Sequence, residues 1–168
     1  DANATGTLGQ NFLTWLWCFS EVKGGVVDID SDQYAAMIEG PLTFFLEGGG
    51  AHVAVLRNGA PVLSTEAKTA LLSGKKLLRA QVVVSRNKEQ WSAGFDANEF
   101  VFRSLKIPRA GDLDQISWFQ QRMISMDRFM KAFIGYFDEF IKLRADKKKW
   151  KPVQKEIHKW VSERVGKK

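Results

Sequence analysis

Three groups of residues in this sequence are of types and at spacings that could do chemistry, and each points to a different kind of protein. Asp28-Ile29-Asp30-Ser31-Asp32, with Glu39 eleven residues after Asp28, follows ligand positions 1, 3, 5 and 12 of a calcium-binding EF-hand loop. Position six is Gln33, where that loop needs Gly for its sharp turn, and Gly24-Gly25-Val26-Val27 upstream is not a helix. The favoured reading is a solvated acidic turn at a strand end. A carboxylate cluster holding metal for nuclease chemistry is the alternative, because three Asp side chains alternating along one strand would share a face and repel. The second group is His52 and His158, neither with a Ser, Cys or carboxylate at a triad or metal spacing. Gly48-Gly49-Gly50 lacks the Lys-Ser/Thr of a phosphate loop, and no dinucleotide fingerprint occurs. No cofactor and no enzymatic activity are expected.

The third group is basic residues interleaved with aromatics: Lys147-Lys148-Lys149-Trp150-Lys151, then Lys155, Lys159-Trp160 and Arg164. Lysines neutralise phosphates without reading sequence, and a Trp can stack on a base or cover the lysine stems. The chain of 168 residues carries 25 Lys and Arg against 19 Asp and Glu, a formal charge of +6. Residues 145–168 hold nine of the basic and three of the acidic groups, leaving 16 of each sign before them. The whole net charge therefore sits in one terminal segment, which suits an anionic partner: nucleic acid, acidic lipid headgroups or an acidic protein face. Lys75, Lys76, Arg79 and Arg86 form a second, weaker basic group around one strand.

These residues need a scaffold. Phe12, Trp15, Leu16 and Phe19 recur at helical spacing, and Thr7 with Gln10 has capping-box spacing, which predicts a helix over 8–21 with Cys18 as a buried thiol. Short β-rich runs follow over 26–29, 41–46 and 51–57, with Asn58-Gly59 as a hairpin turn. Ser64 caps a short helix over 65–73 that stops at Gly74. Three further strands are predicted: one with Leu78, Ala80, Val82 and Val84 inward, one with Trp91, Ala93 and Phe95 inward, and a third over 100–107.

Asp112 and Gln115 open a long helix to about Arg144, along which Ile116, Phe119, Met123, Met126, Met130, Phe133, Phe137 and Phe140 are spaced alternately three and four apart. This seam packs in the core or, through Met123, Met126, Met130, Phe133 and Phe137, against another subunit. Asp146-Lys147-Lys148-Lys149 reads as a linker, and Pro152 as the first residue of a last helix to about Val165. The division expected is residues 1–145 as a core domain with its long helix over about 113–144, and 146–168 as basic linker and helix. No segment is apolar for the roughly 18 residues a membrane span needs, and no membrane partner is expected. The fold class is α+β, an antiparallel sheet covered by helices.

Leu8-Gly9-Gln10-Asn11-Phe12-Leu13-Thr14-Trp15-Leu16-Trp17, followed by Ser20-Glu21, resembles the LGxxFLTWLWxxSE stretch in the C-terminal part of divergent members of the recombination-associated protein RdgC family. The order of Leu71 to Lys76, Trp91, Leu105-Lys106-Ile107-Pro108, the long helix and a closing Trp-rich helix is similar too. The resemblance implies a non-enzymatic bacterial DNA-binding protein without strong sequence preference, a homodimer that restrains RecA filaments, in the cytoplasm and associated with the nucleoid. Only the C-terminal part of such a protein is covered, so more sequence is expected ahead of Asp1. The DNA-contacting residues expected from charge are Lys147, Lys148, Lys149, Lys151, Lys155, Lys159 and Arg164, then Lys75, Lys76, Arg79 and Arg86. The reading from another class is a protein-interaction module that uses the long-helix seam and the basic tail.

Overall fold

The computed structural model describes residues 2–45, 54–56, 65–109 and 114–163. In chain order these form α1 (Ala2–Lys23), β1 (Val26–Ile29), β2 (Asp32–Phe45), β3 (Ala54–Leu56), α2 (Thr65–Leu72), β4 (Lys76–Arg86), β5 (Glu89–Asp96), β6 (Val101–Lys106), α3 (Gln115–Ala145) and α4 (Lys147–Glu163). Every strand pairing is antiparallel, in the order β1-β2-β4-β5-β6, and β3 pairs with the far end of β2. The architecture is α+β, as its sequence pattern predicts.

The helices bury one face of the sheet. Leu13, Leu16, Trp17 and Cys18 of α1 are buried along with Phe12 and Trp15, so the stretch 12–18 is apolar nearly all round because it is enclosed nearly all round. Phe12 meets Phe133, Phe137 and Phe140 of α3 edge-on at 5.3–5.5 Å between centroids, and Phe95 of β5 at 6.0 Å. Trp91 on β5 donates its indole N–H to the carbonyl and hydroxyl oxygens of Ser125, which explains a buried serine on α3. Gly135 lets α3 approach β1: a Cβ there would lie 2.5 Å from Cδ1 of Ile29.

Several boundaries differ from expectation. The first helix starts at Ala2, not Leu8, so Thr7 lies within it. On β4 the inward residue is Leu77, not Leu78, because a bulge between Leu77 and Arg79 shifts the register against β2. The cap of α3 is Asp114, whose carboxylate accepts from the backbone N–H groups of Ile116 and Ser117. Asp112, Asn58-Gly59, Ser64, His52 and Gly48-Gly49-Gly50 lie outside the described residues. Gly74 takes φ +85°, and the N–H groups of Gly74 and Lys75 close the end of α2 on Leu71 and Ala70.

Candidate nucleic-acid interface

The expected linker at 146–149 is helix. Asp146 is the only residue between α3 and α4. Its carboxylate accepts from the N–H of Lys148, and its carbonyl accepts from the N–H of Trp150, so Lys147, Lys148 and Lys149 form the first turn of α4. Pro152 stands inside that helix, not at its start. One side of α4 belongs to the main core: Trp150, Val153, Trp160 and Val161 are buried with residues of α1 and α3. Neither tryptophan is free to stack on a base. Trp150 packs edge-on against Phe140, and Trp160 against Trp17. The indole N–H of Trp160 donates to Glu21, which also pairs with the fully buried Lys68 at 3.3 Å.

With the apolar side fixed, helical periodicity decides where the lysines fall. Lys147, Lys151, Lys155 and Lys159 recur every four residues and so form one ridge, with about 6 Å of axial rise between neighbours. Lys148 shares that outer face, while Lys149 falls on the flank that carries Glu156. All six are exposed. Lys159 reaches Glu163 at 3.5 Å, and the others have no ion-pair partner among the described residues. Three lysines in the first turn also oppose the helix dipole, which favours negative charge at that end. Apart from Lys159, the ridge is thus a cationic surface left unneutralised among the described residues. Arg164 lies outside the described residues.

The second basic group divides. Arg86 is neutralised, pairing with Asp32 at 3.0 Å and Glu89 at 3.5 Å, and its side chain is only 18% exposed. Arg79 holds the buried carboxylate of Asp96 at 2.6 Å. Arg86 is therefore not free to take a phosphate, whereas Arg79 engages Asp96 through Nε alone and keeps its side chain 54% exposed. Lys75 and Lys76 are half-buried and have no carboxylate partner among the described residues. They line a cleft of about 350 Å³ whose opposite wall is Gln154, Ile157, His158 and Val161 of α4. The fold therefore joins Lys75 and Lys76 to the α4 surface, a proximity across about 80 residues that no local sequence signal encodes.

The acidic motif is a hairpin. Asp30 and Ser31, both with positive φ, make a two-residue turn that pairs Ile29 with Asp32 and Asp28 with Gln33. The three carboxylates consequently do not line one strand face, and Asp32 pairs with Arg86. Among the described residues no group of three or more His, Cys, Asp or Glu is placed to hold a metal. Cys18 is buried, and burial pushes its thiol up to about 12, with Glu156 and Glu21 adding to the shift.

The seam of α3 splits in two. Phe133 and Phe140 are buried and Phe137 is half-buried against Phe12 and Phe100, so Phe133 is a core residue and not a subunit contact. Ile116, Phe119, Met123, Met126 and Met130 are 40–72% exposed. No helix among the described residues is long and apolar enough to cross a membrane. No protein-family model matches this chain, and no curated protein or solved structure matches it.

Proposed function

We propose that this chain is a non-enzymatic, largely sequence-independent DNA-binding protein that acts in recombination or replication. The observation that carries the proposal is the α4 ridge: lysines at four-residue intervals, all but Lys159 without a carboxylate partner among the described residues, on a helix whose other side is anchored in the core. A rigid row of cations suits a regular row of phosphates, and phosphate contacts carry affinity without sequence information. The RdgC-like stretch in α1 supports the same reading and adds restraint of RecA filaments and nucleoid association in a bacterial cytoplasm.

The test is a titration of duplex DNA at several salt concentrations. With roughly four to six phosphates neutralised, log affinity falls against log salt with a slope of about −0.9 per contact. Replacing Lys147, Lys151 and Lys155 with Gln keeps helix propensity and should shallow that slope by about one unit per lysine, whatever the DNA sequence. An unchanged slope in a variant that melts like the parent would reduce the ridge to a solvated face.

A second reading has its own observation. The exposed part of the α3 seam, with Ile134, keeps the three-and-four spacing of a helix that packs on another helix. At roughly 200 Å² for a side chain of this size, the six exposures amount to about 600 Å² per copy, or about 1,200 Å² for a pair, the lower end of a specific interface. We infer a homodimer formed through this stripe, with Met123, Met126 and Met130 at its centre.

A further inference from the structure

We infer that the cleft between α1, α2 and α4 is a site for a single nucleotide, and that it takes one unstacked nucleotide from a DNA strand lying along the α4 ridge. The inference rests on the DNA-binding reading for the source of the nucleotide, and on the cleft itself for its chemistry.

The cleft is at the small end of ligand sites, a size for one nucleotide unit. Its lining sorts into the three kinds of surface a nucleotide requires. Lys75, Lys76 and the His158 imidazole supply nitrogen donors for a phosphate. Leu71, Leu72, Ile157 and Val161 supply an apolar wall for the flat face of a base. Asn11, Thr14 and Gln154 supply neutral groups that can both donate and accept, as the edge of a base demands. Among the described residues no carboxylate lines it, so those walls do not repel an anion.

The other flank of α4 makes the contrast. The cavity there, about 390 Å³, is lined by Asp28, Glu139 and Glu156, with Lys23 already paired to Glu156 at 3.1 Å. Two cavities of similar size on either side of one helix therefore have opposite character, and only the one holding Lys75 and Lys76 favours an anion. His158 falls beside Lys151 and Lys155 around the helix, so the cleft opens next to the ridge. A strand held by its phosphates on the ridge can turn one base into the cleft only if that base is free of a partner. The site therefore favours single strands.

The experiment measures three ligands on the intact chain: thymidine monophosphate, a single-stranded oligothymidylate and a duplex of the same length. Thymidine monophosphate should shift the side-chain amide NMR signals of Asn11 and Gln154, and inorganic phosphate at the same concentration should not reproduce those shifts. The single strand should bind about tenfold or more tightly than the duplex, the scale of one seated base. Leu72→Glu at the half-exposed rim and, separately, Gln154→Ala should abolish this preference while leaving duplex affinity within about twofold, and Lys75→Gln/Lys76→Gln should abolish the thymidine monophosphate shifts. If thymidine monophosphate leaves both amides unmoved, or if the Leu72 and Gln154 variants weaken single strand and duplex equally, the cleft is not a nucleotide site and its lysines merely complement the carbonyl end of α2. A monophosphate that binds while neither DNA does would retain the cleft and remove the ridge.

Discussion

Lys68 shows how far a single residue's role can lie from its sequence neighbourhood. Next to Ala67 and two residues before Ala70, it reads as the polar side of a short helix, yet it is 1% exposed, paired with Glu21 on α1 and 4.3 Å from the ring centroid of Trp160 on α4. Removing the carboxylate in Glu21→Ala leaves a buried cation without its counter-charge and should cost about 3–5 kcal/mol, whereas Glu21→Leu/Lys68→Met should recover most of that loss. Urea unfolding of the three proteins checks this, and equal losses in single and double variants would contradict it. Asp96 makes a pH-dependent counterpart. Burial pushes its carboxyl up, but the backbone N–H groups of Glu99 and Asn98 and the Arg79 guanidinium outweigh burial, so its pKa is lowered overall. A carboxyl lowered by folding stabilises the protein above its unfolded value, about 3.9, and that contribution is lost as pH falls through the folded value. The melting temperature should therefore drop below about pH 4 in the parent and drop less in Asp96→Asn, each relative to its own value at pH 6. Parallel curves would assign the acid sensitivity to other carboxylates. Gly9, within the stretch that resembles RdgC proteins, has a local steric reason to be glycine: a Cβ there would lie 2.0 Å from the carbonyl oxygen of Ala97.

Among the elements, α3 was the most legible and the most misleading. Its length and three-and-four seam follow from the sequence pattern, but the pattern does not say where the sheet ends beneath it. Phe133, Phe137 and Phe140 meet Phe12, whereas the first buried residue along the helix is Ser125, so the turns before it carry Ile116, Trp118, Phe119 and Met123 largely in the open. The two halves should respond differently to substitution. Phe133→Ala should cost about 3–5 kcal/mol of stability without changing the mass in solution. Met126→Lys should melt like the parent and lose self-association. Light scattering and thermal melts on both variants decide the matter: a parent that is monomeric at high concentration removes the dimer, and a Phe133→Ala protein of unchanged stability removes the core assignment. The sequence misleads at α4 for a different reason, since four lysines in five residues look like a solvated linker. What makes them helical is the Asp146 cap together with the burial of Trp150, and only the second requires knowledge of the fold.

Over the whole molecule, the partition of charge was readable from the chain alone, and the α+β class followed from its alternating and helical periodicities. The pairing of Arg79 and Arg86 with carboxylates, and the approach of Lys75 and Lys76 to α4, depend on partners brought from elsewhere by the sheet, so composition could not reveal them. Glu21 and Trp160 are linked across 139 residues, and Lys68 reaches the Trp160 carbonyl across 92. Contacts this distant in sequence carry a loop-closure cost and form late when folding is limited by topology. A growing chain that has emerged only as far as α3 therefore holds an unsealed interior, with Trp17 lacking its ring partner and Lys68 lacking the Trp160 face above it. Docking of α4 closes that interior and, in the same event, turns a set of tethered lysines into an ordered ridge. On the proposed DNA-binding reading, maturation of the core and acquisition of affinity for DNA are one step, and a partly made chain would not occupy DNA before it is folded.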